Sequence, residues 1–106
     1  MFFYDLYAFS GESLSQARDW LESESDIIFR EHDSTYHGGV YYIAGDKWNE
    51  HLVLKENIDP LDGEPDEMDY PHHKFLLYIN RTPRPEFFKH ILSACDCFNL
   101  LKSERL

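Results

Sequence analysis

Five consecutive apolar residues, Phe75-Leu76-Leu77-Tyr78-Ile79, constrain this chain more than any other feature. A strand points alternate side chains to opposite faces, so such a run has no polar face to offer water and needs cover on both sides. It predicts a central strand. With 106 residues, 42% hydrophobic and 16% aromatic, the chain has the material for one packed core, and one domain over residues 1–106 is expected.

The remaining elements follow from local signals. Residues 2–9 carry aromatics on both alternating faces and predict an interior strand. Ser13 with Gln16 three residues on makes a capping-box pattern, and Leu14, Ala17 and Leu21 share one stripe bordered by Trp20, which predicts a helix over 14–24. Ile27, Ile28 and Phe29 predict a strand over 26–32, followed by turn chemistry at Asp33-Ser34 and Gly38-Gly39. Residues 40–44 and 48–56 read as two strands of a hairpin, with Gly45-Asp46 as a two-residue turn. Pro85 suits a first helical position, and Phe87, Phe88, Ile91, Leu92, Ala94, Cys95 and Phe98 fall on one arc, predicting a second helix that closes the chain.

The order β-α-β-β-β-loop-β-α implies an α+β domain: a mainly antiparallel sheet of about five strands with two helices packed on one face.

Charge narrows the function. Ten Lys and Arg against twenty Asp and Glu give a net charge of −10, and charging all six histidines would not change its sign. That field repels phosphate backbones and anionic headgroups, so direct nucleic-acid binding and membrane binding are not expected and a basic partner is. No apolar run approaches the roughly 20 residues that cross a bilayer, and residues 2–9 lack the basic flank of a secretion signal. A cytoplasmic monomer is expected. Cys95 and Cys97, the only cysteines, would point about 200° apart on the predicted helix, and reduced thiols fit best.

No catalytic or metal pattern stands out. The six histidines include no helical pair at i and i+4 with an intervening Glu, and His72 and His73, adjacent on a predicted strand, point to opposite faces. Neither cysteine sits near a helix N-terminus or a cluster of cations that would favour a thiolate. No Gly-x-Ser-x-Gly elbow or phosphate cradle occurs. No catalytic residue, metal or cofactor is expected.

What remains is residues 57–71, with Pro60, Pro65, Pro71 and Gly63 and the six acids Asp59, Asp62, Glu64, Asp66, Glu67 and Asp69, without a Lys or Arg. A loop this long in a small domain is functional or mobile. Carboxylates speed encounter with a cationic surface while aromatics anchor it, so the expected binding set is this loop with Tyr70 at its exit, joined by Asp46, Trp48 and Glu50 at the hairpin. A solvated loop with aromatics belonging to the core is the plainer reading of the same residues.

The stretches Gly38-Gly39-Val40-Tyr41-Tyr42-Ile43, Glu50-His51-Leu52-Val53-Leu54-Lys55-Glu56-Asn57, Asp59-Pro60-Leu61-Asp62-Gly63-Glu64-Pro65 and Phe75-Leu76-Leu77-Tyr78-Ile79-Asn80 together resemble small bacterial immunity proteins. These neutralise polymorphic toxins, including those of contact-dependent growth inhibition systems. The resemblance covers roughly residues 38–80 and is architectural. It implies a cytoplasmic, non-enzymatic protein that binds one cognate basic toxin domain, a nuclease with RNase as the favoured class, and blocks its active site or an adjacent surface. It assigns no individual residue.

Two rivals stand beside it. One is a small-ligand protein or hydrolase using carboxylates or His51 in a pocket between sheet and acidic loop. The other is an adaptor subunit of a larger assembly, for which Leu100, off the apolar arc of the last predicted helix, is the hint.

Overall fold

The computed structural model describes residues 1–34, 39–59 and 61–106, without the side chain of Ser34. Its elements are β1 (Phe3–Phe9), α1 (Leu14–Glu24), β2 (Arg30–Ser34), β3 (Gly39–Gly45), β4 (His51–Glu56), β5 (Phe75–Thr82), α2 (Pro85–Leu92) and β6 (Phe98–Arg105). The strands form one sheet in the order β2-β3-β4-β5-β1-β6, every neighbouring pair antiparallel. The fold is α+β with six strands rather than five. No helix among the described residues is long and apolar enough to cross a membrane.

The doubly apolar run does lie inside the sheet, between β4 and β1. Phe75, Leu77 and Ile79 face one side, where they join Tyr7, Phe9, Leu52, Leu54, Leu14, Ala17, Leu21, Phe88 and Leu92 in a single core cluster. Both helices therefore pack on one face. Leu6, Ala8 and Leu76 alternate to the other face and are nevertheless buried. Burying a side chain such as Leu76 is worth about 1.5–3 kcal/mol, and Asp66, Glu67 and Tyr70 from the segment before β5 bond to residues of this second face.

Local chemistry explains where elements begin. Ser13 caps α1, its Oγ accepting the Gln16 backbone N–H at 3.2 Å, while Gln16 Oε1 accepts the Glu12 N–H at 2.8 Å. Pro85 opens α2. The turn anticipated around Gly38-Gly39 lies largely outside the described residues.

Four expectations need correction. The last helix stops at Leu92, and Phe98 and Leu100 belong to β6. Apolar spacing at 88, 91, 92 and 98 suits a helix, but β1 is apolar on both faces and would otherwise be left as an unpaired edge. The strand foreseen over 26–32 forms at Arg30–Ser34 instead; Ile27 and Phe29 reach the core from an extended lead-in. The hairpin turn is longer than two residues. β3 ends at Gly45 and β4 starts at His51, because Asp46 Oδ1 accepts the Trp48 N–H at 3.0 Å and draws Trp48 out of the strand into the turn. His72 and His73 precede β5 and are not on a strand.

Candidate partner-binding surface

Residues 57–59 and 61–74 are built around Asn57, which is buried. Its Nδ2 donates to the carbonyl oxygens of Tyr70 and His73, both at 2.9 Å, and its Oδ1 accepts the Glu67 N–H at 2.9 Å. Its own N–H donates to the Lys74 carbonyl at 2.8 Å. One amide thus closes the loop at several points. Within it, the Asp59 N–H donates to the Glu64 carbonyl and the Gly63 N–H to the Asp59 carbonyl, at 2.7 and 2.8 Å. The Asp59 and Asp62 carboxylates each accept a backbone N–H two residues on, from Leu61 and Glu64, at 2.9 Å. At φ +74°, Gly63 supplies the left-handed residue this tight path needs.

The sheet's second face holds the loop down. Lys55 Nζ pairs with Asp66, Tyr78 OH donates to Glu67 Oε2 at 2.7 Å, Lys102 Nζ lies 3.5 Å from Glu67 Oε1, and Tyr70 OH donates to the Leu101 carbonyl at 3.0 Å. Burial, reinforced by Glu67, pushes the Tyr78 phenol well above its ordinary pKa. Burial lowers the Lys55 pKa, and Asp59 and Glu67 oppose that shift.

The ten residues expected to bind a partner consequently divide. Asp66, Glu67 and Tyr70 are half-buried, with polar groups engaged inside the fold. Glu50 is also internal in role: it accepts from Thr82 Oγ1 at 2.7 Å and from Arg84 Nη2 at 2.7 Å, and Arg84 also reaches Asp26 at 3.1 Å. Asp62, Glu64 and Asp69 are exposed, and Asp59 is half-buried. Asp46 and Trp48 are exposed at the hairpin tip, where Lys47 Nζ sits 5.0 Å from the Trp48 ring centre. Bonds from the Asn49 side chain and then the Trp48 backbone lower the Asp46 pKa.

The hairpin precedes β4 and the acidic loop follows it, so the strand's six residues, about 20 Å at about 3.3 Å per residue, separate the two groups. They do not form one continuous patch. Three residues of the loop were not foreseen: Ile58, Leu61 and Met68 are 39%, 85% and 68% exposed, placing large apolar side chains among the exposed carboxylates. The available signal was the presence of Ile, Leu and Met in a stretch otherwise made of Pro, Gly and acids.

His51 Nδ1 lies 2.8 Å from the Asn49 carbonyl and its strand position pairs with Asn80. A cleft of about 440 Å³ lies away from it, beside the start of α1 between Ser13, Tyr42, Glu56 and Lys74. On the loop face, Tyr4, Leu6, Tyr78, Asn80, Lys102 and Glu104 line a smaller cleft of about 170 Å³. Among the described residues no three His, Cys, Asp or Glu side chains are grouped to hold a metal ion.

No protein-family model matches the chain, and no curated protein matches it either.

Proposed function

We propose that this chain is an immunity protein that neutralises a cognate basic toxin domain, a nuclease with RNase as the first class to test, by covering its active site or the surface beside it. The carrying observation is the pinned acidic loop. Asn57 fixes its backbone from within, while Asp62, Glu64 and Asp69 point carboxylates outward among the exposed Ile58, Leu61 and Met68.

Each part has a physical role. An ordered loop loses little further entropy on docking. Exposed carboxylates speed encounter with a cationic surface and orient it. Leu61 and Met68 supply apolar area that, once desolvated, slows dissociation, and the flexible thioether of Met68 adapts to an irregular partner. Asp66 and Glu67 serve by holding the loop to Lys55 and Lys102. Trp48 is a second contact for a partner wide enough to span β4. On this reading the protein acts in the cytoplasm as a monomer and makes or breaks no bond.

The test is co-expression with the C-terminal domain of the secreted protein encoded immediately upstream. Rescue of growth, with a complex isolated from the cells, supports the proposal. The lack of such a toxic domain, or toxicity that co-expression leaves undiminished, overturns it.

A further inference from the structure

The segment joining α2 to β6 carries both cysteines, and it is a turn. The Cys95 N–H donates to the Leu92 carbonyl at 3.1 Å, and the Phe98 N–H donates to the Cys95 carbonyl at 3.3 Å. The Cys97 carbonyl is held from the opposite side by the Ser10 N–H at 2.8 Å and the Ser10 hydroxyl at 3.3 Å. Both backbones are therefore fixed. Two residues span at most about 7 Å even when fully extended, and a turn folds them closer, toward the window of roughly 4.4–6.8 Å between Cα atoms that a disulfide requires. The opposed placement expected from a helix does not arise, because the helix ends before Cys95.

The side chains converge as well. Cys95 and Cys97, both free and half-buried, line one cavity of about 60 Å³ with Phe9, Gln16 and Trp20. We infer that Cys95 and Cys97 form a dithiol centre that a low-molecular-weight disulfide such as oxidised glutathione converts into an intramolecular disulfide.

The Cys97 thiolate attacks one sulfur of oxidised glutathione, forming a mixed disulfide and releasing one glutathione thiolate. Cys95, after losing its proton to solvent, attacks the Cys97 sulfur, closing the Cys95–Cys97 bond and releasing the second glutathione. Two protein thiols are oxidised and one small disulfide is reduced to two thiols. Burial raises the Cys95 pKa, opposed by the Cys97 backbone and reinforced by the Cys97 thiol, which disfavours the Cys95 thiolate and suits this cysteine to the resolving role.

Trp20 lines the same cavity and reports on the bond, because a disulfide quenches indole emission; a Trp48→Phe background isolates its signal. Reduced protein incubated with oxidised glutathione under non-denaturing conditions is read by intact mass, thiol titration and fluorescence. The expected result is a loss of two hydrogen masses, a fall from two titratable thiols to none, and Trp20 quenching, all reversed by dithiothreitol. Cys95→Ser is expected to stop at one glutathione adduct, with wild-type circular dichroism confirming that it folds. A wild-type protein that keeps both thiols, retains a stable glutathione adduct, or links into disulfide dimers overturns the inference.

Discussion

Asn57 and Tyr70, thirteen positions apart, are joined by a 2.9 Å bond from the Asn57 side-chain amide to the Tyr70 carbonyl, and this bond closes the acidic loop against the sheet. The same buried side chain satisfies the His73 carbonyl and the Glu67 N–H. Truncation would remove the bonds of the His73 carbonyl and the Glu67 N–H and leave the Tyr70 carbonyl only the His73 N–H at 3.4 Å. Asn57→Ala is expected to lose about 2–4 kcal/mol, measured by urea denaturation. Asn57→Asp, which keeps an acceptor for Glu67 but loses both donors, is also expected to be less stable than wild type. A wild-type midpoint for Asn57→Ala would show that the amide does not hold the loop.

Gly45 and Gly63 both have positive φ, at +80° and +74°, but their surroundings differ. A Cβ on Gly45 would lie 2.2 Å from the Glu50 carbonyl oxygen, whereas one on Gly63 would meet nothing within 4 Å. Gly63→Ala therefore costs only the left-handed backbone, about 1 kcal/mol. Gly45→Ala adds a backbone clash and is expected to cost about 2–4 kcal/mol. Thermal melts of the pair check the ranking.

Glu50 ties β5 to the start of α2 through Thr82 and Arg84, with 18% of its side chain exposed. Thr82 is fully buried and its oxygen still accepts the Arg84 N–H at 3.1 Å, so removing Glu50 strands the hydroxyl proton. Glu50→Ala is expected to destabilise by about 1–3 kcal/mol, and Glu50→Gln, which keeps an acceptor oxygen, by less. Chemical denaturation of both variants distinguishes this from a solvated surface acid, for which neither change would register.

How much of this was legible depends on how far each signal reaches along the chain. The Ser13 cap and the Leu14, Ala17, Leu21 stripe lie within one short segment, and α1 has the bounds they imply. The run from Phe75 to Ile79 announces its central place by composition alone. Phe98 and Leu100 fit either period, and the choice was made by the open edge of β1, which no local pattern reveals. The acidic loop was visible, but its inward-facing side was not. Asn57 bonds to partners ten to sixteen positions away, and Asp66 and Glu67 differ from Asp62 and Glu64 only in lying over Lys55, Tyr78 and Lys102. Helical geometry likewise separates Cys95 from Cys97, and it took the early end of α2 to bring them together.

Burial, with smaller contributions from Asp5 and Glu86, raises the Tyr7 phenol to about 12. The folded protein thus holds this proton more tightly than the unfolded chain, whose tyrosines ionise near 10. Stability from this group is full below pH 10 and is lost as pH rises toward 12. Tyr78 is shifted in the same direction. Denaturation midpoints in alkaline buffers should be flat with respect to these phenols below pH 10 and fall above it, less steeply in Tyr7→Phe. An equal fall in that variant would remove Tyr7 from the account.

The most direct test of the docking loop is its association rate with the purified, catalytically inactivated toxin domain encoded upstream, measured by stopped flow across a salt series. Asp62, Glu64 and Asp69 are the residues to reverse to Lys, since Asp66 and Glu67 hold the loop in place. The account predicts a wild-type rate that falls steeply with salt and a triple variant that folds normally but associates at least about tenfold more slowly at low salt. A variant that associates as fast as wild type, with the same dependence on salt, would contradict it.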